Sequence, residues 1–133
     1  EPYKYIRLKS FFGTRGCPFS CAYCFNSAYN QMYKDKGEVL RRRSVESLIR
    51  EIEMVKQNHP TDFIRFGDDT FVMKHDDWVD EFAEKYAARI GLPFYFLINP
   101  NLVNEGLIKV LKQAGCHSVI ASASTSLRSS TSC

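Results

Sequence analysis

Three cysteines, Cys17, Cys21 and Cys24, fall in one short run, Gly16-Cys17-Pro18-Phe19-Ser20-Cys21-Ala22-Tyr23-Cys24-Phe25-Asn26. Thiols three and four residues apart bridge one another poorly, because so short a loop strains a disulfide. The chain has five cysteines, an odd number, and Cys116 and Cys133 stand alone. A disulfide framework is therefore not the reading, and clustered thiols of this kind hold metal. Soft sulfur donors suit an iron–sulfur cluster. Three ligands on a four-iron cubane leave one iron open to an outside group. A zinc site would be closed by a fourth Cys or His, and His59, His75 and His117 all lie far from the loop in sequence. From the residues alone, an open iron–sulfur site, a zinc site closed from a distance and a purely structural thiol cluster all stand.

Two further polar stretches could join the cysteines. Gly67-Asp68-Asp69 offers two carboxylates for a cationic group beside a glycine that lets backbone approach closely, or simply a turn before a helix. Asn99-Pro100-Asn101 is good turn chemistry and could also touch a ligand. Arg41-Arg42-Arg43 precede a helix, where positive charge opposes the dipole, so they are expected in solvent or paired with acids such as Glu46. Cys116 is expected as a small buried residue beside a strand, and Trp78 as packing.

The elements that would position these groups alternate. Ile6 and Leu8 alternate with Arg7 and Lys9 and lead into Phe11-Phe12, a first strand, and a long polar loop with the cysteines follows. Ser44 caps a helix whose Val45, Leu48, Ile49, Ile52 and Val55 share one face, and His59-Pro60 ends it. Phe63-Ile64-Arg65-Phe66 is a second strand. Asp76 or Asp77 caps a second helix with Val79, Phe82, Tyr86 and Ile90 on its stripe, stopped by Gly91. Phe94-Tyr95-Phe96-Leu97-Ile98 reads as a strand buried on both faces. Asn104 opens a third helix through Leu107, Ile108, Leu111 and Ala114, Gly115 closes it, and His117–Ala121 begins a fourth strand. The order β-α-β-α-β-α-β predicts parallel strands with right-handed crossovers, in a β/α barrel or an open α/β sheet. Loops after the strand ends gather on one face, which brings the three polar stretches to one site.

At 133 residues and 15.3 kDa the chain is the size of one domain, and its 44% hydrophobic content is globular rather than disordered. No apolar run approaches the ~20 residues of a membrane helix, and no signal-peptide pattern opens it. A net charge of +3 argues no nucleic-acid affinity. A cytoplasmic protein is expected. Residues 122–133, Ser-Ala-Ser-Thr-Ser-Leu-Arg-Ser-Ser-Thr-Ser-Cys, offer almost nothing to bury and read as a disordered tail or an end foreign to the fold.

The C-x3-C-x2-C loop, with Tyr23 just before its third cysteine and a strand before it, resembles the radical S-adenosylmethionine (SAM) superfamily. Thr14-Arg15-Gly16-Cys17-Pro18-Phe19-Ser20-Cys21, Arg43-Ser44-Val45-Glu46 and Phe66-Gly67-Asp68-Asp69-Thr70-Phe71 are closest in look to members that carry an upstream cobalamin-binding domain. The resemblance implies an α/β fold, a partial (β/α) barrel of parallel strands ending after about three and a half β/α units, with 1–121 as the N-terminal portion of the core. It implies a [4Fe–4S] cluster on Cys17, Cys21 and Cys24, and SAM chelated at the open iron. Tyr23 would lie by the adenine, and Gly67, Asp68 and Asp69 against the methionyl amino group. Reductive cleavage of SAM to a 5′-deoxyadenosyl radical would follow, for hydrogen abstraction or methyl transfer on a small molecule, with electrons from a flavodoxin or ferredoxin. Cobalamin would enter only through a further domain upstream. Family members continue after the fourth strand with a Gly-Ile-Glu-Ser-like segment at SAM; here that place reads Ile120-Ala121-Ser122-Ala123-Ser124, so the chain by itself is expected to be inactive or nearly so. The rival expectation is a non-catalytic zinc- or cluster-binding module.

Overall fold

Period-2 and period-3.6 patterns in the sequence resolve into six strands and four helices in the computed structural model, which describes residues 2–121. In chain order these are β1 (Leu8–Phe11), β2 (Thr14–Arg15), α1 (Phe25–Met32), β3 (Arg41–Arg42), α2 (Val45–Asn58), β4 (Phe63–Phe66), α3 (Asp77–Arg89), β5 (Phe94–Ile98), α4 (Glu105–Gln113) and β6 (Cys116–Ala121). The tail at 122–133 lies outside the described residues.

Side-chain caps start the three long helices where the sequence places them. Ser44 Oγ accepts from the Ser47 N–H at 3.3 Å, Asp76 Oδ1 from Val79 at 3.3 Å, and Asn104 Oδ1 from Leu107 at 2.9 Å. Gly91 and Gly115 stop α3 and α4 at φ +63° and +105°, a conformation that disfavours any side chain.

β1, β4, β5 and β6 form one sheet in that order, every pair parallel. Strands laid down in sequence with right-handed crossovers put every connecting helix on the same face. The core sits there: Phe11, Ile64, Phe66, Phe94, Phe96 and Ile98 from the strands meet Leu48, Ile52, Val79, Phe82, Tyr86, Leu107 and Leu111 from the helices. Phe66 is its hub, stacked on Phe71 at 4.3 Å and edge-on to Phe82 and Phe94 at 5.5 Å each. The opposite face, carrying Leu8, Ser10, Phe63, Arg65, Tyr95 and Leu97, is that of a barrel interior. This is the partial (β/α) barrel arrangement.

Several expectations are corrected. In β1 the buried residues are Lys9 and Phe11, whereas Leu8 is half-buried and Ile6 is exposed ahead of the strand. Both sheet faces carry apolar residues, so alternation alone does not say which side meets the helices. β5 alternates between buried and half-buried rather than being buried on both faces, because no helix covers Tyr95 and Leu97. The cysteine segment is not all loop, since it contains α1 and is flanked by the β2–β3 ladder. Cys116 opens β6 and is half-buried rather than enclosed. Glu46 pairs with Arg50, Lys85 and Arg89 instead of the arginine run. Arg43 pairs with Glu51, and Arg42 pairs with Asp76 at 3.0 Å while lying 4.7 Å over the Trp78 ring. Trp78 packs as expected, stacked on Phe82 at 5.6 Å.

Candidate cofactor site

The chain leaves β1 at the mouth of the sheet and is held at once by a two-residue antiparallel ladder, Thr14 opposite Arg42 and Arg15 opposite Arg41. Gly16 follows with φ +85°, and a Cβ there would stand 1.8 Å from the Val39 carbonyl oxygen. No other residue fits this turn. The cysteine loop hangs from that point.

Cys17 is 8% exposed, while Cys21 and Cys24 are half-buried. The Cys24 N–H donates to the Cys21 carbonyl at 3.1 Å, closing a backbone turn from Cys21 to Cys24. Cys24 is the N-cap of α1. The helix buries no residue of its own. Its tie to the site is Asn30, whose Nδ2 donates to the Cys17 carbonyl at 2.9 Å. Burial pushes the Cys17 thiol up, and negative charge on Asp69, Cys21 and Cys24 adds to that. All four groups therefore share one electrostatic neighbourhood, which a cationic metal centre would relieve.

Among the described residues no three His, Cys, Asp or Glu side chains gather closely enough for a single metal ion. A cubane asks for something different. Each thiolate binds its own iron at its own corner, so the three sulfurs need to surround a volume rather than meet at a point. Soft sulfur donors on one short loop fit that group. The histidines are engaged elsewhere: His75 with Asp80 at 2.6 Å, and His117 against the Phe63 ring at 5.3 Å on the open sheet face. His59 caps the C-terminus of α2.

The loop after β4 meets the cysteine segment through Asp68. This carboxylate is 2% exposed. Its Oδ1 accepts from the Thr14 N–H and, at 2.7 Å, from the Thr14 hydroxyl. Burial raises its pKa, and the Thr14 bonds oppose that rise. Oδ2 is buried without a partner, and Asp68 lines a cavity of about 300 Å³ with Phe12, Thr14, Arg15, Gly67 and Asp69. An orphaned carboxylate oxygen at a cavity suits a donor-rich cationic ligand group. Asp69 next to it is exposed and lines both this cavity and a larger one, about 580 Å³, bounded also by Asn26, Tyr29, Tyr33 and Arg41. Neighbouring acids thus have opposite settings, one clamped to Thr14 and one free.

Gly67 donates its N–H to the Phe11 carbonyl at 2.9 Å, and a Cβ there would meet the Phe12 ring at 3.0 Å. Tyr23 is 69% exposed beside Cys24. Two of the three polar stretches are therefore brought together. The third is turn chemistry: Asn99 Oδ1 accepts from the Asn101 N–H at 3.0 Å, and neither residue lines these cavities. Thr14 and Asn30 orient the site without having been singled out by sequence. Each acts on a partner that local spacing does not reveal.

A sequence model described as the Radical SAM superfamily matches residues 11–126. A protein of Pyrococcus horikoshii named as an uncharacterized methyltransferase is 31% identical over 106 residues, covering 80% of this chain and 22% of that protein. The chain thus spans about a fifth of the length of this relative.

Proposed function

The chain belongs to the radical SAM superfamily, and on that premise we propose that Cys17, Cys21 and Cys24 hold a [4Fe–4S] cluster to which SAM binds. The cluster and SAM, once held there, would supply one-electron reductive chemistry at the SAM C5′–S bond, the source of radical reactivity in this superfamily. The residues of the chain do the rest. Asp69, free at the edge of both cavities, faces the methionyl amino group and accepts a hydrogen bond from its N–H. Asp68 positions it by fixing the β4 loop to Thr14. Gly67 keeps the backbone low enough for the ligand to approach, and Tyr23 lies by the adenine.

The observation that carries this reading is the junction of two distant stretches, Asp68 bonded to Thr14 just ahead of the cysteines. It places the free carboxylate of Asp69 within electrostatic reach of Cys17. Residues 1–121 are read as the N-terminal portion of the barrel core. The name of the Pyrococcus relative is consistent with methyl transfer, and we read this chain as part of such an enzyme. Its substrate is a small molecule, its electrons come from a flavodoxin or ferredoxin, and cobalamin is available only from a further domain.

Anaerobic reconstitution with iron and sulfide tests the assignment. The expected product is brown, absorbs near ~400 nm as iron–sulfur chromophores do, and has an EPR spectrum that SAM perturbs. Cys17→Ala, Cys21→Ala and Cys24→Ala each abolish the colour, and Asp69→Asn retains it but blunts the response to SAM. Stoichiometric zinc in a colourless protein that takes up no iron would overturn the reading.

A further inference from the structure

We propose that Arg65, on the open face of the sheet, is an anion-binding residue that selects a substrate carrying a carboxylate or phosphate. The inference rests on the radical SAM reading for the location of the substrate, and on the sheet itself for the chemistry.

Parallel register sets one row across four strands: Ser10 opposite Arg65, Arg65 opposite Tyr95, and Tyr95 opposite Ser118. Paired residues of parallel strands point to the same face. The neighbouring row, Phe11, Phe66, Phe96 and Val119, packs on the helices, so the Arg65 row faces away from them. The remaining residues around it on that face are the apolar Leu8, Phe63, Leu97 and Ile120 and, beside Phe63 at 5.3 Å, the His117 ring, with Phe63 and Tyr95 rings 5.9 Å apart. No Asp or Glu occupies any described strand position of the face. Arg65 has no hydrogen-bond or ion-pair partner among the described residues.

Arg65 is exposed on this face, and its guanidinium, flanked by aromatic and aliphatic side chains and without a counter-charge from the protein, is open to an anion. Its planar fork matches a carboxylate or phosphate through two parallel bonds. The Tyr95 and Ser118 hydroxyls lie along the same row and can add donors. Height along the strand matters as well. Gly67 is two residues further along, so Arg65 lies about 7 Å below the level at which the Asp68–Asp69 loop begins. That separation suits a substrate held by its anionic end, with its reacting carbon nearer the mouth.

The test uses the cluster-free chain, labelled with ¹⁵N, and reads the arginine Nε–Hε resonances during titration with inorganic phosphate and, separately, with acetate. Arg65, identified through Arg65→Lys, should shift saturably with at least one anion, whereas Arg50, exposed on α2, drifts without saturating. Arg65→Gln, followed through the Tyr95 and Ser118 backbone amides in the same titrations, should weaken that binding by about tenfold or more, the worth of a charged hydrogen-bond pair, and Tyr95→Phe by a few-fold. Saturation by phosphate and not acetate names a phosphate-bearing substrate; the reverse names a carboxylate. An Arg65 signal that moves no more than Arg50, or unchanged binding in Arg65→Gln, overturns the proposal. Iron incorporation, measured in parallel, should be equal in Arg65→Gln and the parent. Anion binding without iron uptake would sink the radical SAM assignment while leaving the anion site standing.

Discussion

Gly16→Ala is the most direct probe of how the fold holds the cysteine loop. The new Cβ would stand 1.8 Å from the Val39 carbonyl oxygen. Ordinary C···O contacts begin at about 3.3 Å, so the two segments must part by roughly 1.5 Å. The ladder between them has just two registered pairs, Thr14 with Arg42 and Arg15 with Arg41, and cannot absorb such a shift without breaking. Alanine at φ +85° adds about 1–2 kcal/mol of backbone strain. Two lost ladder bonds add about 1 kcal/mol each. Together these predict a loss of about 3–4 kcal/mol in urea unfolding and little or no iron uptake on reconstitution. Gly37→Ala is the control: its φ is +131°, but a Cβ there meets nothing within 4 Å. It carries the strain without the collision, and should bind iron normally. Normal stability and iron content in Gly16→Ala, or equal damage in Gly37→Ala, would refute the steric argument.

Asp68→Ala strands the Thr14 N–H, leaving the hydroxyl only the Thr70 carbonyl at 3.1 Å, and should cost about 1–3 kcal/mol by thermal unfolding, whereas Asp68→Asn keeps an acceptor oxygen for both. Because burial raises the Asp68 pKa above its ordinary 3.8, its contribution is full below 3.8 and lost as pH rises through the folded value. The stability of Asp68→Asn relative to the parent should therefore improve from acid to neutral pH. Glu46 is held down at about 2, chiefly by Lys85, then by Arg89 and Arg50. Its contribution is present above the ordinary 4.5 and lost as pH falls through about 2, so Glu46→Gln should lower the melting temperature at neutral pH and low salt, with the difference shrinking in acid or high salt. Burial pushes the Cys116 thiol up to about 11. At pH 8 about one molecule in a thousand is thiolate, and iodoacetamide labelling followed by peptide mapping should find it roughly a hundredfold slower than free cysteine.

What the sequence discloses depends on how far away each residue's partner lies. Ser44, Asp76 and Asn104 cap helices through bonds that span three residues, so the caps, the stripes behind them and the glycines that end two of the helices are all readable locally. α1 is different. It buries nothing, so no apolar stripe faces a core. Its signal was there in another form: Phe25, Tyr29 and Tyr33 recur every four residues, and their rings do contact, at 4.5 and 5.7 Å. β2 and β3 are two residues each, below the length at which alternation means anything. The cysteine spacing is legible because its donors are consecutive in one loop, whereas the Asp68–Thr14 bond joins residues 54 apart. Similarly, the Glu46 partners Lys85 and Arg89 come from a helix whose packing against α2 must be known first.

The divergence of Asp68 and Asp69 follows from strand geometry more than from any property of the acids. Phe66 ends β4 pointing to the helices, Gly67 falls on the side of the open face, and the next residue is carried back over the end of the core toward Thr14. A carboxylate arriving there is desolvated and must be bonded, which Thr14 accomplishes with two donors. The residue after it emerges into the cavities beside Cys17 with its charge unspent. One acid thereby secures the β4 loop to the segment that carries the cysteines, and the other is presented by that same attachment. Any displacement of the cysteine loop at Thr14 moves the free carboxylate with it, so the positions of the three thiols and of Asp69 are set by one pair of hydrogen bonds rather than independently. Such coupling favours a ligand that must reach both at once, as an amino acid moiety chelating a metal through its amine and carboxylate while its amine N–H groups donate to Asp69 would do.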